Sequence, residues 1–338
     1  MTRILIVKLS SLGDIVQAFP VLPTLHRFFP GAKIDWAVSH SLQELVAAHP
    51  LVHSAIPLSP SLSSLSLLRA TSYDLLFDLQ GNSKSGFVTL LARAKEKIGY
   101  GFSSVREWPN LLATRRRFSV SRNQNIRSFY LDLICKATGA TPVSQESLTL
   151  RLSTAEKERV NTLLDSLPKG KKKILICPGS HWKNKRFPSE LLSQLLLRIK
   201  NSFDPFFLFA WGSSVEREEC QLLAQMHGER ALLLEKFSLP ALQLLMSSVD
   251  LLIGVDSIAL HLSATTSTPT LSLFGPTQAS LFCPTGAHHR PLQGKCPYGV
   301  TFFKQCPRLR SCPTGACMQN FTIESVYQQF ASLVSFDN

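Results

Sequence analysis

Four short stretches place acids, hydroxyls or lysines directly after apolar runs, where an open parallel sheet presents chemistry. The most informative is Leu251–Thr277, LLIGVDSIALHLSATTSTPTLSLFGPT. Leu251–Val255 suits a strand buried on both faces. Asp256 and Ser257 follow at its C-terminal end. Either can cap the next helix, whose free N–H groups and positive dipole end suit a phosphate. His261 lies one turn beyond Ser257, on the same face. Thr270–Phe274 reads as the following strand, with Gly275-Pro276-Thr277 as a turn. On these residues alone a phosphate site and an ordinary strand–helix–strand unit with a capping Asp fit equally.

The other three stretches carry complementary chemistry. Ser10-Ser11-Leu12-Gly13-Asp14 joins the first strand to the first helix, so Asp14 is either an acid presented at the C-terminal edge of the sheet or the cap of its helix. The loop lacks G-x-G-x-x-G, and with it a dinucleotide fingerprint. Pro178–Pro188, PGSHWKNKRFP, is a turn rich in donors. With Ser180 at its start and Lys185 beside a helix start, it can hold a diphosphate without a metal. Its spacing is not that of an ATPase loop. In Trp211-Gly212-Ser213-Ser214-Val215-Glu216, Glu216 fits a ribose-binding acid. Taken alone, it fits better a first-turn Glu favoured by the helix dipole.

These residues need a sheet to position them. Arg3–Leu9, Lys33–Val38 and Tyr73–Leu79 read as strands in the first half, with helices through about Phe28, over Leu42–Ala48 and over Ser85–Ala94. Ser59–Ser66 reads as weakly structured. Phe118–Gly139 contains a helix, Ser147–Leu152 reads as a strand, and Ser153 caps a helix to about Leu167. Pro168-Lys169-Gly170-Lys171-Lys172-Lys173 is the clearest linker-like break. The pattern then restarts with strands Ile174–Cys177, Phe206–Trp211 and Ala231–Leu234. Helices from Ser189, over Val215–Met226 and over Leu239–Met246 alternate with them, and Ile323–Val334 is a terminal helix. This alternation predicts two doubly wound α/β domains with a crevice between them. The expected division is residues 1–168, 169–320 and a terminal helix over 321–338.

The chain has 338 residues, 44% of them hydrophobic, enough for two cores. No apolar run reaches the ~18 residues that span a bilayer, and the N-terminal apolar core is too short for a signal peptide. These features predict a cytoplasmic protein. The formal charge is +13, and Lys84–Arg127 holds ten basic residues against Glu96 and Glu107. Such a run attracts an acidic substrate, an anionic membrane or nucleic acid. No nucleic-acid motif accompanies it and no stacking aromatics are read within it, so nucleic acid is not the expected partner. Cys296, Cys306, Cys312 and Cys317 crowd into 22 positions as C-x9-C-x5-C-x4-C. Without paired C-x2-C knuckles, free thiols or an oxidation-dependent disulfide are expected before a structural metal.

Taken together, these motifs resemble one family. Lys8-Leu9-Ser10-Ser11-Leu12-Gly13-Asp14, Phe77–Ser85 (FDLQGNSKS), Pro178-Gly179-Ser180 with Lys185–Pro188, Trp211-Gly212, and Gly254–Ser257 with His261 and Phe274–Thr277 occur in order over residues 3–280. The set is similar to the ADP-heptose:lipopolysaccharide heptosyltransferases, glycosyltransferase family 9. The resemblance implies a GT-B fold of two Rossmann-like domains, the first holding the acceptor and the second the nucleotide-sugar. It implies inverting transfer of a heptose to a Kdo-lipid A type inner core, with no cofactor and no metal. Asp14 would be the general base and Lys185 would neutralise the diphosphate. Ser180, Glu216, Phe237, Asp256, Ser257 and His261 would hold the donor, with Glu216 on the ribose and Phe237 against the adenine. Ser10, Ser11, Gln80, Lys84 and Arg122 would meet the acceptor.

The implied partners are an ADP-sugar, an acidic glycolipid acceptor and the anionic inner face of the inner membrane. Another nucleotide-sugar or glycan acceptor, and a non-catalytic binding relative, are the alternatives. Ile258 stands where the family often has Gly after Asp-Ser, and Lys295–Met318 resembles a Cys-rich insertion of some members.

Overall fold

Ile4–Val7 buries four consecutive side chains completely, the signature of a strand covered on both faces. In the computed structural model, which describes residues 1–59, 62–143 and 147–334, this run is β1 (Arg3–Val7) at the middle of a six-stranded sheet. Its neighbours are β2 (Lys33–Ser39), β3 (Ser54–Leu58), β4 (Ser72–Asp78), β5 (Arg93–Tyr100) and β6 (Arg116–Phe118). The order is β3-β2-β1-β4-β5-β6, and every pairing is parallel. The chain winds outward from β1 to β3, returns beside β1 as β4, and winds out the other way. Helices connect most strands, as parallel pairing requires.

The second sheet repeats this plan. Its strands are β7 (Lys173–Cys177), β8 (Phe206–Phe209), β9 (Ala231–Leu233), β10 (Leu251–Val255), β11 (Thr270–Phe274) and β12 (His289–Gln293). They lie in the order β12-β11-β10-β7-β8-β9, all parallel. Both sheets therefore reverse direction beside their first strand, between β1 and β4 and between β7 and β10. Open sheets of this kind bind ligands outside the strand ends at such switch points. Register brings the relevant ends level: Val7 pairs with Asp78, and Cys177 with Gly254.

Two compact units result, Met1–Arg151 and Leu152–Asn338. The helix Thr154–Ser166 lies in the second, where its Glu156 accepts a hydrogen bond from the Ser238 hydroxyl and Arg159 pairs with Glu235 at 2.7 Å. The break at 168–173 thus falls inside the second unit rather than between the units. The terminal helix Ile323–Val334 also belongs there, since Val326, Phe330 and Leu333 are part of its core.

Several local expectations change. The first helix is two, Leu12–Ala18 and Val21–Phe28, because Pro20 interrupts the N–H ladder. Leu62–Ala70 is helical where weak structure was expected, while residues 60 and 61 of that stretch lie outside the described residues. Residues 147–152 form no strand: the Arg151 N–H donates to the Ala48 carbonyl and its guanidinium to that of Pro50, instead of to a ladder. No helix among the described residues is long and apolar enough to cross a membrane.

Candidate active site

In the first unit the site grows from Lys8, which follows the buried run of β1 and is itself only 3% exposed. A buried ammonium is costly unless paired and hydrogen-bonded. Its Nζ donates to the Ser10 carbonyl at 2.8 Å and to Gln80 Oε1 at 3.2 Å. It stands 3.7 Å from Asp14 Oδ2 and 5.3 Å above the Tyr130 ring. Gln80 Oε1 also accepts the N–H groups of Leu9 and Ser10 at 3.2 and 3.3 Å, and its amide donates to Ser10 Oγ at 3.4 Å. The loops after β1 and β4 are thereby tied together at the switch point.

Asp14 takes part in the cap of its own helix. It occupies the first turn of Leu12–Ala18, where the Ser11 hydroxyl and N–H donate to its Oδ2 at 3.0 and 3.4 Å. A quarter of its side chain remains exposed beside the Lys8 cation. Behind it, fully buried Asp78 accepts the N–H groups of Gln80 and Gly81 at 3.0 and 2.9 Å, and Asn110 and Thr89 at 2.6 and 3.1 Å. Burial lifts its pKa against the pull of those donors. Ser10, Ser11, Asp14 and Gln80 thus form one cluster. Lys84 stands exposed on the next helix, and Arg122 is exposed with its guanidinium on the Val105 carbonyl.

In the second unit the centre is Asp256, immediately after β10. Lys185 Nζ and Thr277 Oγ1 each lie 2.6 Å from its Oδ2, and His261 Nε2 lies 3.1 Å from its Oδ1. Burial opposes ionisation of Asp256, yet the His261 hydrogen bond and the Lys185 charge hold its pKa well below the usual carboxylate range. The carboxylate therefore favours its anionic form and fixes a cation. This corrects the capping expectation. Ser257 occupies the N-cap position, but its hydroxyl makes no cap bond and is buried without a partner, while Asp256 is engaged by three stronger donors.

The loop after β7 is closed by the Phe187 N–H on the Pro178 carbonyl at 3.0 Å, and buried Ser180 offers its carbonyl to Arg186 Nε at 3.1 Å. Glu216 is buried at the start of the helix Ser214–His227. Its Oε2 accepts the N–H groups of Gly212 and Ser213 at 2.8 and 3.2 Å. Its other oxygen faces Gly179, where an added Cβ would lie 2.4 Å from Glu216 Cδ. A side chain there would force the Glu216 carboxylate to move. Phe237 is half-buried with the Arg159 guanidinium 5.6 Å from its ring centroid.

These side chains follow five adjacent strands. Across the sheet edge the order is Phe237 after β9, Glu216 after β8, Ser180 and Lys185 after β7, Asp256 after β10, and Thr277 after β11. The Cys-rich segment is fastened to the same loops. Asn184 donates to the Leu309 carbonyl at 2.7 Å, Cys306 N–H to that of Pro276 at 2.7 Å, and Gln278 N–H to that of Lys304 at 3.0 Å. All its thiols are free. Burial, aided by Cys296, Cys312 and Cys306, pushes the Cys317 thiol up to about 11. Cys312 is lowered, because the N–H groups of Gly315, Thr314 and Ala316 outweigh its burial. Among the described residues no group of three or more His, Cys, Asp or Glu is arranged to hold a metal ion.

Sequence reasoning missed several contacts of the candidate site, among them Lys8 beside Asp14, Thr277 and Lys185 on Asp256, and Gly179 against Glu216. The first had a signal, a lysine directly continuing the apolar run ILIV.

Comparison with known proteins places the chain in a family. Residues 63–309 match the model of glycosyltransferase family 9 (heptosyltransferase). Lipopolysaccharide heptosyltransferase 1 of Pseudomonas aeruginosa is 30% identical over 304 residues, covering 85% of this chain and 82% of that protein. The Campylobacter coli protein of the same name is 29% identical, over 81% and 84%. The fold matches that of the E. coli heptosyltransferase WaaC solved with ADP-2-deoxy-2-fluoro heptose, at a TM-score of 0.76 and 22% identity over 98% of this chain and 99% of that one. The chain therefore belongs to glycosyltransferase family 9, the heptosyltransferases.

Proposed function

We propose that the protein transfers a heptose from ADP-heptose to the inner core of lipopolysaccharide by a single, metal-independent, inverting displacement. The observation that carries this reading is the order of side chains along the second sheet's edge. A nucleotide-sugar is a string of base, ribose, diphosphate and sugar. Phe237, Glu216, Lys185 and Asp256 are an aromatic, an acid, a cation and an acid in that same order. Neighbouring strands are about 4.8 Å apart, so the string lies across the strand ends rather than along them.

In this reading Phe237 meets the adenine and Glu216 Oε1 accepts from a ribose hydroxyl. Lys185 keeps one N–H on Asp256 and turns its remaining donors to the diphosphate, aided by Ser180 and the unpartnered Ser257 hydroxyl. Asp256 and His261 lie toward the sugar. Asp14 takes the proton of the acceptor hydroxyl as its oxygen attacks the anomeric carbon. The bond from that carbon to the diphosphate breaks, ADP carries away the electron pair, and the configuration inverts. Lys8 Nζ stands 3.7 Å from the Asp14 carboxylate, a cation beside the proposed base. The first unit's excess of cations suits an acceptor bearing carboxylates and phosphates, and peripheral work on the cytoplasmic face of an anionic membrane.

Calorimetric titration with ADP, UDP, GDP and CMP tests the reading. ADP alone is expected to bind; a preference for another nucleotide overturns the donor, and binding of none overturns the pocket.

A further inference from the structure

The first unit carries an apolar face that its core does not use. Helix Ser83–Leu91 buries Ser85, Gly86, Val88 and Thr89 and leaves Phe87 and Leu90 54% and 55% exposed. Beside it the short helix Trp108–Ala113 buries Asn110 and Ala113, with Trp108 67% and Leu112 73% exposed. The two are locked together. Asn110 Nδ2 donates to the Asn82 carbonyl at 3.0 Å and to Ser85 Oγ at 3.2 Å, while Glu107 accepts the N–H and hydroxyl of Ser83 at 2.9 and 2.6 Å. A hollow of about 340 Å³ lies between Leu90 and Leu112, with Arg93 and Lys97 on its wall. Lys97 Nζ reaches the Leu90 carbonyl at 3.0 Å, which sets a cation at the apolar rim.

Glu96 is neutralised by Arg116, and Glu107 stays an anion held by Ser83; with ten basic residues against these two acids, the Lys84–Arg127 run keeps an excess of positive charge. Trp108 and Phe87 are aromatics exposed within the basic run, where no stacking aromatics were read from the sequence. Aromatic and aliphatic side chains grouped with basic ones match the layering of a lipid surface: apolar groups at the acyl boundary, cations at anionic headgroups. Leu90 and Leu112 offer acyl chains contact, but offer nucleic-acid bases nothing to stack on.

We propose that this face, with Phe87, Leu90, Trp108 and Leu112 as its apolar centre and Arg93 and Lys97 at its rim, docks on an anionic bilayer. The inference rests on the reading that the protein works at a membrane. Helix Ser83–Leu91 starts three residues after Gln80, which is bonded to Lys8 and Ser10, and is only about 13 Å long. Docking through it sets the Asp14 cluster beside the surface in which a lipid-anchored acceptor sits.

The test is co-sedimentation of the full chain with vesicles of phosphatidylethanolamine and phosphatidylglycerol, against vesicles of phosphatidylcholine. Wild type is compared with Phe87→Ser/Trp108→Ser and with Arg93→Gln/Lys97→Gln. ADP affinity, a property of the second unit, and circular dichroism confirm that each variant is folded. The expected result is at least tenfold preference of wild type for the anionic vesicles. Each double variant is expected to lose at least fivefold in vesicle affinity with ADP affinity unchanged. Anionic binding retained in full by both variants overturns this face and leaves the membrane reading standing. A wild type that sediments with neither vesicle overturns both. Loss of a wild-type dimer in the variants, without vesicle binding, assigns the face to a second copy and overturns the lipid.

Discussion

Lys185 Nζ rests 2.6 Å from Asp256 Oδ2, so the cation assigned to the diphosphate is held in place by the acid assigned to the sugar. The two side chains are only 14% and 8% exposed. Removing one partner strands the other's charge, at a cost of about 3 kcal/mol. Lys185→Ala and Asp256→Ala are each expected to lower stability by about that much, and the double variant by clearly less than the sum. Urea unfolding of the four proteins measures this. Strict additivity would show that the pair does not couple in solution. ADP affinity is expected to fall at least about tenfold in Lys185→Ala, as loss of one charge-assisted hydrogen bond implies.

Asp14→Asn preserves shape and removes the base. Transfer is expected to fall about a thousandfold, within the usual range for a lost general base, with ADP affinity unaltered. Comparable turnover in the variant removes Asp14 from the mechanism. Addition of EDTA to wild type is expected to leave the rate unchanged, since Lys185 supplies the positive charge; loss of rate restored by Mg²⁺ contradicts that assignment.

Gly179→Ala probes Glu216 without touching it. The new Cβ would lie 2.4 Å from Glu216 Cδ, so the carboxylate must shift. A hydrogen bond to a charged group is worth about 1.5 kcal/mol, or roughly tenfold in affinity. Both Gly179→Ala and Glu216→Gln are expected to weaken ADP by about that factor while leaving an analogue without ribose hydroxyls unaffected. Equal weakening of that analogue separates Glu216 from the ribose.

Stability should fall with acid in two stages. Burial, with Arg151 nearby, lowers the pKa of His49 to about 3, so the folded protein keeps this imidazole neutral. Its contribution is complete above the unfolded value near 6.5 and is lost as pH falls from there toward 3, about 2 kcal/mol by pH 5. Asp256, also lowered, contributes fully above the unfolded carboxylate value near 4 and loses that contribution below it. Denaturant midpoints between pH 7 and 5 should decline in wild type and decline less in His49→Gln.

The parts legible in the sequence are those where one segment suffices. KILIC, LLIGV and TLSLF are buried throughout or nearly so, and each read as a strand whose end places a site residue. Strands β5 (RAKEKIGY), β6 (RRF) and β12 (HRPLQ) escaped notice because they lie at or next to a sheet edge, where pairing rather than composition makes the strand. Within the candidate site, position after an apolar run together with the family resemblance singled out Asp14, Lys185, Glu216 and Asp256. Neither carried a record of Lys185 meeting Asp256 across 71 residues, or of Gly179 meeting Glu216. The Ser257 cap failed for the same reason: distant donors claimed Asp256, and the hydroxyl of Ser257 was left without a bond.

The two units are each continuous in sequence and meet at one peptide, Arg151–Leu152. A single recombination breakpoint there would exchange a whole six-stranded sheet with its helices and cut through neither hydrophobic core. On the function proposed above, acceptor choice and donor choice would then be inherited as two separate blocks of sequence.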